Sequence, residues 1–240
     1  MMHIDVVTIF PEMVVPVVGQ SILKRAQARK LVEIAVHNLR DYTHDKRRTV
    51  DDRPYGGGPG MVMKPEPICE AVEAIETKHH GSINHRDKSH CQVVLMAPAG
   101  MRLSQALAKD LSRLSHLVIL CGHYEGVDER IRQALVDRDI SIGDYVLTGG
   151  ELPAMVLIDC VARLIPGVLG HQQATLEESF SWGLLEYPQY TRPKVFRGMG
   201  VPEILRSGDH LRIATWRKLQ ALARTFTQRP DLLDHKTGNW

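Results

Sequence analysis

An α/β fold built on a parallel sheet is predicted for this 240-residue chain, and three observations predict it. Short apolar runs of strand length alternate with stretches of helical period along residues 3–165. The runs at 92–97 and 117–121 are apolar at almost every position, as strands covered on both faces are. Glycine-bearing loops follow several of these runs, and α/β sheets bind ligands beyond the carboxyl ends of their strands.

Residues 3–10 are rich in β-branched side chains and stop at Pro11, which predicts the first strand. A helix is expected over 21–30 and a second strand over 31–37. Charges of both signs crowd 40–53 and lead into Pro54-Tyr55-Gly56-Gly57-Gly58-Pro59-Gly60, a loop on composition alone. Pro65 opens a helix running to about residue 78. Residues 79–90 are polar and read as a surface connection, with His79, His80, His85 and His90 solvated. A helical segment near 104–115 separates the two apolar strands, and a further strand is expected over 140–147. Residues 151–165 read as a helix with Pro153 in its first turn and Pro166-Gly167 as its stop.

Composition shifts after Gly170. The predicted organisation is a domain over 1–170, a polar linker over 171–190 and a small helical domain over 191–240. Within the last, residues 192–229 carry Arg192, Lys194, Arg197, Arg206, Arg212, Arg217, Lys218, Arg224 and Arg229 against Glu203 and Asp209. Ile213, Trp216, Leu219, Leu222 and Phe226 recur there at helical spacing, so they are expected to pack while a cationic face stays outside. This clustering matters because the whole chain has 30 Lys plus Arg and 28 Asp plus Glu, a net charge of only +2. Bulk charge therefore gives no case for nucleic acid.

Cys69, Cys91, Cys121 and Cys160 form no Cys-x-x-Cys pair and lie in or beside apolar runs. Reduced, buried thiols in a reducing compartment are expected, and the localisation read from this is cytoplasmic. The start, Met1-Met2-His3-Ile4-Asp5, lacks the pattern of a signal peptide. No run approaches the ~18 apolar residues that span a bilayer, so no membrane partner is expected. Standard nucleotide, hydrolase and zinc motifs are missing. No Gly-Lys-Ser/Thr follows a glycine loop, no Gly-x-Gly-x-x-Gly opens a helix, and neither Gly-x-Ser-x-Gly nor His-Glu-x-x-His occurs.

Three longer runs are more distinctive. They are Asp51-Asp52-Arg53-Pro54-Tyr55-Gly56-Gly57-Gly58-Pro59-Gly60-Met61, Cys121-Gly122-His123-Tyr124-Glu125-Gly126-Val127-Asp128-Glu129-Arg130, and Ser141-Ile142-Gly143-Asp144-Tyr145-Val146-Leu147-Thr148-Gly149-Gly150-Glu151-Leu152. With Ile9-Phe10-Pro11-Glu12-Met13 at the start and Tyr187-Pro188-Gln189-Tyr190-Thr191-Arg192-Pro193 and Arg229-Pro230-Asp231-Leu232-Leu233 toward the end, the chain resembles the bacterial tRNA (guanine-N1)-methyltransferases of the SPOUT superfamily. The resemblance implies an α/β fold with a parallel sheet and a deep trefoil knot, a topology that ordinary connection rules would exclude. It also implies a homodimer with active sites at the subunit interface. Met155, Val156, Leu157, Ile158 and Val161 leave the 151–165 helix little polar surface, which fits burial on both sides in a dimer or within one core.

The implied reaction moves a methyl group from S-adenosylmethionine to N1 of the guanosine at tRNA position 37, immediately 3′ of the anticodon. N1 carries a proton at neutral pH, so a base must take it, and charge gathering on O6 needs a cation or donor. By motif position Glu178 takes the place of the general base, where the family usually has Asp; the plain alternative is a solvated acidic pair with Glu177. Arg163 matches the arginine that supports O6, or else only complements a helix C-terminus. Asp51 matches a residue contacting the target guanine, or is a turn aspartate. Pro98, Gly122, Tyr124, Glu125, Ile142, Gly143, Asp144, Tyr145, Val146, Leu147, Gly149 and Gly150 match cofactor positions. Arg192 and Arg217 belong to the segment expected to hold the tRNA backbone. Magnesium dependence comes with the family, although no metal-ligand cluster is read from the sequence. A non-catalytic RNA-binding homologue, or a SPOUT methyltransferase with another RNA substrate, is the alternative.

Overall fold

The structure is a computed structural model and describes residues 1–81, 87–170 and 177–234. It divides into two compact units, Met1–Gly170 and His171–Trp240.

The first unit is built on a five-stranded, wholly parallel sheet. Its strands are β1 (Met2–Thr8), β2 (Val32–Asn38), β5 (Cys91–Arg102), β6 (His116–Cys121) and β7 (Arg138–Ser141), in the order β2-β1-β6-β5-β7. Two further short strands, β3 (Asp51–Asp52) and β4 (Val62–Met63), make a separate antiparallel pair. The helices are α1 (Pro11–Val18), α2 (Ser21–Ala28), α3 (Pro65–His80), α4 (Gln105–Leu111), α5 (Glu129–Ala134) and α6 (Glu151–Ala162).

Side chains alternate across a strand, and this divides the core in two. Ile4, Val6, Val94, Met96, Leu117 and Ile119 face one way, under α1, α2, α4 and α6. Val7, Val93, Leu95, Val118 and Leu120 face the other, under α3 and α5. Both faces are therefore covered, as the near-continuous apolar runs require.

β5 pairs with β7 at Val94–Met96, slips register, and pairs again at Met101 and Arg102. Pro98, which has no N–H to donate, falls in the slipped segment. Gly100 is there because a Cβ would run into the backbone of Asp139 and Ile140.

Several boundaries differ from expectation. The strand expected over 140–147 ends at Ser141; Ile142, Tyr145, Val146 and Leu147 line a pocket instead of extending the sheet. The helix expected to reach residue 165 ends at Ala162, and the one expected over 104–115 spans Gln105–Leu111 with Ser104 capping it, its Oγ accepting from Leu107 N. His79 is not in a polar connection: it is the penultimate residue of α3, its side chain packed against the sheet.

The second unit contains a short hairpin, β8 (Val195–Phe196) and β9 (Met199–Gly200), then the long helix α7 (His210–Gln228) and α8 (Asp231–Asp234). The expected linker is, over its described residues 177–190, part of this unit. Leu184 and Tyr187 are buried against Ala221, and Leu185 N donates to Thr225 Oγ1 at 2.9 Å. The packed face of α7 is thus the small-residue face of Ala221 and Thr225, which lets the 182–187 segment approach closely. Leu219, Leu222 and Phe226, expected inside, are 59%, 47% and 72% exposed. Helical spacing identifies a stripe but not which side of it meets a partner.

Candidate active site in the loops after β5, β6 and β7

The carboxyl ends of β5, β6 and β7 open into a pocket of about 250 Å³. Its walls come from Leu95–Pro98, from Gly122–Val127 and from the stretch between Ile140 and Pro153. The loops are fastened to each other through their backbones. Gly150 N donates to Gly122 O at 2.7 Å, and His123 bridges to Gly149. A Cβ on Gly150 would stand 2.8 Å from both Cys121 Cα and Gly122 N. On Gly149 it would collide with the side chains of Glu151 and His123, and on Gly143 with the Tyr145 ring. These glycines are needed for close approach, which leaves the main-chain edges of the loops facing the pocket.

Tyr124 holds a left-handed conformation, φ 58°, turning the chain so that Glu125 N reaches Met61 O at 3.0 Å. The 50–64 segment is thereby tied to the pocket: Met63 bridges to Val127 and Met63 N donates to Gly126 O at 2.9 Å. Asp51, in β3 opposite Met63, rides on this segment.

Beneath the pocket lies a buried carboxylate. Glu151, the first residue of α6, is 1% exposed. Thr8 Oγ1 donates to its Oε1 at 2.7 Å, and His123 Nδ1 is 3.8 Å from its Oε2. The Cys121 thiol beside it is pushed well up, by burial first and by the Glu151 charge second. Among the described residues lining the pocket, Glu125 is the one carboxylate and there is no Lys or Arg. Such a lining suits a ligand carrying positive charge and repels none of it, whereas a phosphate would meet no cation.

All the residues expected to hold a cofactor line this pocket except Asp144, whose side chain is exposed, with an oxygen 4.0 Å from Arg102 Nη1. His123, Thr148 and Pro153 line it too and were not singled out from the sequence. Arg163 is elsewhere. It caps the far end of α6, twelve residues beyond Glu151, and at 1.5 Å per residue that is about 18 Å along the helix axis. Glu178 belongs to the second unit, where its carbonyl accepts from Ser181 N at 3.1 Å. Its neighbour Glu177 accepts from Tyr187 Oη at 3.0 Å. In the same unit Arg217 stacks 4.8 Å over the Tyr187 ring, and Arg192 is exposed.

A family model described as tRNA (Guanine-1)-methyltransferase TrmD matches residues 2–235. The chain belongs to the tRNA (guanine-1)-methyltransferase family. It is 56% identical over 234 residues to a tRNA (guanine-N(1)-)-methyltransferase of Dictyoglomus turgidum, covering 98% of this chain and 91% of that one. It is 57% identical over 232 residues to the enzyme of that name from Pelotomaculum thermopropionicum, covering 97% and 90%. The Geobacillus kaustophilus protein of the same name is 53% identical over 233 residues, covering 97% and 92%. Membership makes the chain an enzyme, and the family resemblance read from the three loop runs holds along almost its whole length.

Proposed function

We propose that this chain transfers the methyl group of S-adenosylmethionine to N1 of the guanosine at position 37 of tRNA, as a cytoplasmic homodimer. The observation that carries the reading is the pocket after β5, β6 and β7, with its apolar walls, main-chain edges and single carboxylate. Residues 122–126 and 142–150 would hold the donor there, apolar side chains such as Ile142 and Leu147 flanking its ring and Glu125 supplying the charge that matches a sulfonium. The donor, once bound, supplies an electrophilic methyl group. Tight backbone crossings at Gly100 and Gly150 are what a chain threaded through its own loops would need, and they support the trefoil knot.

Glu178 accepts the N1 proton in this reading. A glutamate has much the same intrinsic acidity as the family's aspartate. Arg163 faces the charge developing on O6, and Asp51 holds the guanine. Arg163 cannot serve the pocket of its own chain from about 18 Å away along α6, so the site is completed by a second copy. Met13, Val15 and Val17 of α1 and Leu152 and Val156 of α6 are exposed on neighbouring helices, an apolar surface of the kind dimers cover. Arg192, Lys194, Arg212 and Lys218 are exposed on the second unit and suit phosphate contacts, which set affinity and register without reading sequence. Reaching N1 requires the base to leave its stack. Magnesium has no defined place in this scheme: among the described residues Glu125 alone lines the pocket with a carboxylate, too few oxygens to fix an octahedral ion, and no step is routed through it. No described helix is long and apolar enough to cross a membrane.

The test is transfer of labelled methyl from S-adenosylmethionine to unmodified tRNA carrying guanosine 37, with Glu178→Gln alongside. Label at N1 of that base is expected, lost by about 10²–10⁴-fold in the variant while donor affinity stays within twofold. RNA binding without turnover in the native chain would favour a non-catalytic homologue. Undiminished turnover in Glu178→Gln would move the base elsewhere, with Asp51 the next candidate.

A further inference from the structure

At the opposite end of the sheet from the pocket, on the α3 face, lies a group of side chains that methyl transfer does not use. Asp5, in the middle of β1, is 1% exposed. Its Oδ2 is 2.8 Å from His116 Nε2 and 3.3 Å from His79 Nε2. Its Oδ1 is 2.6 Å from His37 Nε2. The residues come from four elements: His116 opens β6, His37 is in β2 and His79 is near the end of α3. Register fixes the first contact, since His3 and His116 are paired across β1 and β6 and Asp5 lies two residues along on the same face.

We propose that Asp5, His79 and His116 bind one divalent transition-metal ion of the zinc class, in a site separate from the methyl-transfer pocket. One atom from each of the three lies within 4.8 Å of the others. Imidazole nitrogen and carboxylate oxygen are the ligand types zinc takes, at about 2.0–2.2 Å, and a tetrahedral ion sets its ligands about 3.3 Å apart. The His79–Asp5 separation already has that value. The rest requires shifts on the order of 1 Å, which a side chain at the last turn of a helix can make. His116 Nε2 and Asp5 Oδ2 are now in direct contact at 2.8 Å, and the metal would take the place of that contact.

The surroundings are those of a prepared ligand set. Outer partners orient metal ligands and fix their tautomers. His37 holds the second oxygen of Asp5 and is itself 3.2 Å from Tyr42 Oη through Nδ1. Cys91 Sγ is 3.4 Å from His116 Nδ1, leaving Nε2 as the nitrogen that faces Asp5. The fourth position would be filled by water from the side of His79, whose side chain is 14% exposed.

The experiment uses the full-length, untagged chain stripped with a chelator and titrated with Co²⁺, then Zn²⁺. Expected are one Co²⁺ per chain with the intense visible bands of a tetrahedral ion, displacement by Zn²⁺, and binding weakened at least tenfold in His79→Gln. His44→Gln, an exposed histidine paired with Glu70, should bind as the native chain does. Absence of stoichiometric Co²⁺ binding, or equal binding by His79→Gln, overturns the proposal. A second readout avoids mutation. Zn²⁺ should slow diethylpyrocarbonate modification of His79 at least tenfold without protecting His44 or His90, and equal modification with and without zinc overturns it as well.

Discussion

Replacing Gly150 by alanine tests whether the pocket depends on main-chain contact between two loops. The backbone there is ordinary, φ −82° and ψ −5°, which alanine adopts freely, so conformational strain is not at issue. Space is. The methyl group would sit 2.8 Å from Cys121 Cα and from Gly122 N, where relaxed contacts between carbon atoms are about 3.5–4.0 Å. Relief moves the loops apart by about 0.7–1.2 Å. The Gly150 N–H to Gly122 O bond, now 2.7 Å, is then stretched past its useful range. Overpacking costs about 1–3 kcal/mol and the lost bond about 0.5–1.5 kcal/mol, so about 2–4 kcal/mol opposes the closed arrangement. If donor binding needs that arrangement, calorimetric titration with S-adenosylmethionine should show affinity reduced about 10²-fold, with far-UV circular dichroism unchanged. Gly170→Ala, where nothing lies within 4 Å of the added atom, should bind normally. A Gly150→Ala protein that binds the donor within threefold of the native chain refutes the reasoning.

Thr8→Val removes the donor to the buried Glu151 and the acceptor for Phe10 N; a loss of about 2–4 kcal/mol is expected. Urea unfolding should be followed by circular dichroism, since Trp182, Trp216 and Trp240 all lie in the second unit, and a change below about 0.5 kcal/mol would contradict the assignment. The thiols of Cys69 and Cys121 should resist alkylation at pH 8 until the chain is unfolded. Burial and then Glu73, which accepts from the Cys69 thiol at 3.2 Å, push Cys69 up to about 11, leaving about one molecule in a thousand ionised at that pH; rapid labelling read by mass spectrometry would count against this environment. Val156→Asp, on the exposed side of α6, should sediment as a folded monomer and lose methyl transfer, and a persistent dimer would place the interface elsewhere.

The sheet was readable because burial on both faces demands near-continuous apolar runs, and β5 and β6 have them. The same signal misled at 142–147, since an apolar pocket wall and an apolar strand have the same composition. α1 went unrecognised because Pro11 and Pro16 argue against a helix when neighbours are unknown; Pro11 occupies a first-turn position, where its missing N–H costs nothing. The cofactor residues came from motif resemblance, and no periodicity would have selected them. The Asp5 cluster was invisible for a different reason. Asp5 and His116 are 111 residues apart in the chain, and only strand register makes them neighbours.

β7 is four residues long, forms one margin of the sheet, and holds β5 across a break in register. The loop that walls one side of the pocket hangs directly from it. A ligand gripping that loop therefore also grips a four-residue edge strand, and its binding energy is shared with the sheet's own edge. Occupancy and the integrity of that margin are one equilibrium, so the empty enzyme is expected to loosen first where its chemistry is built.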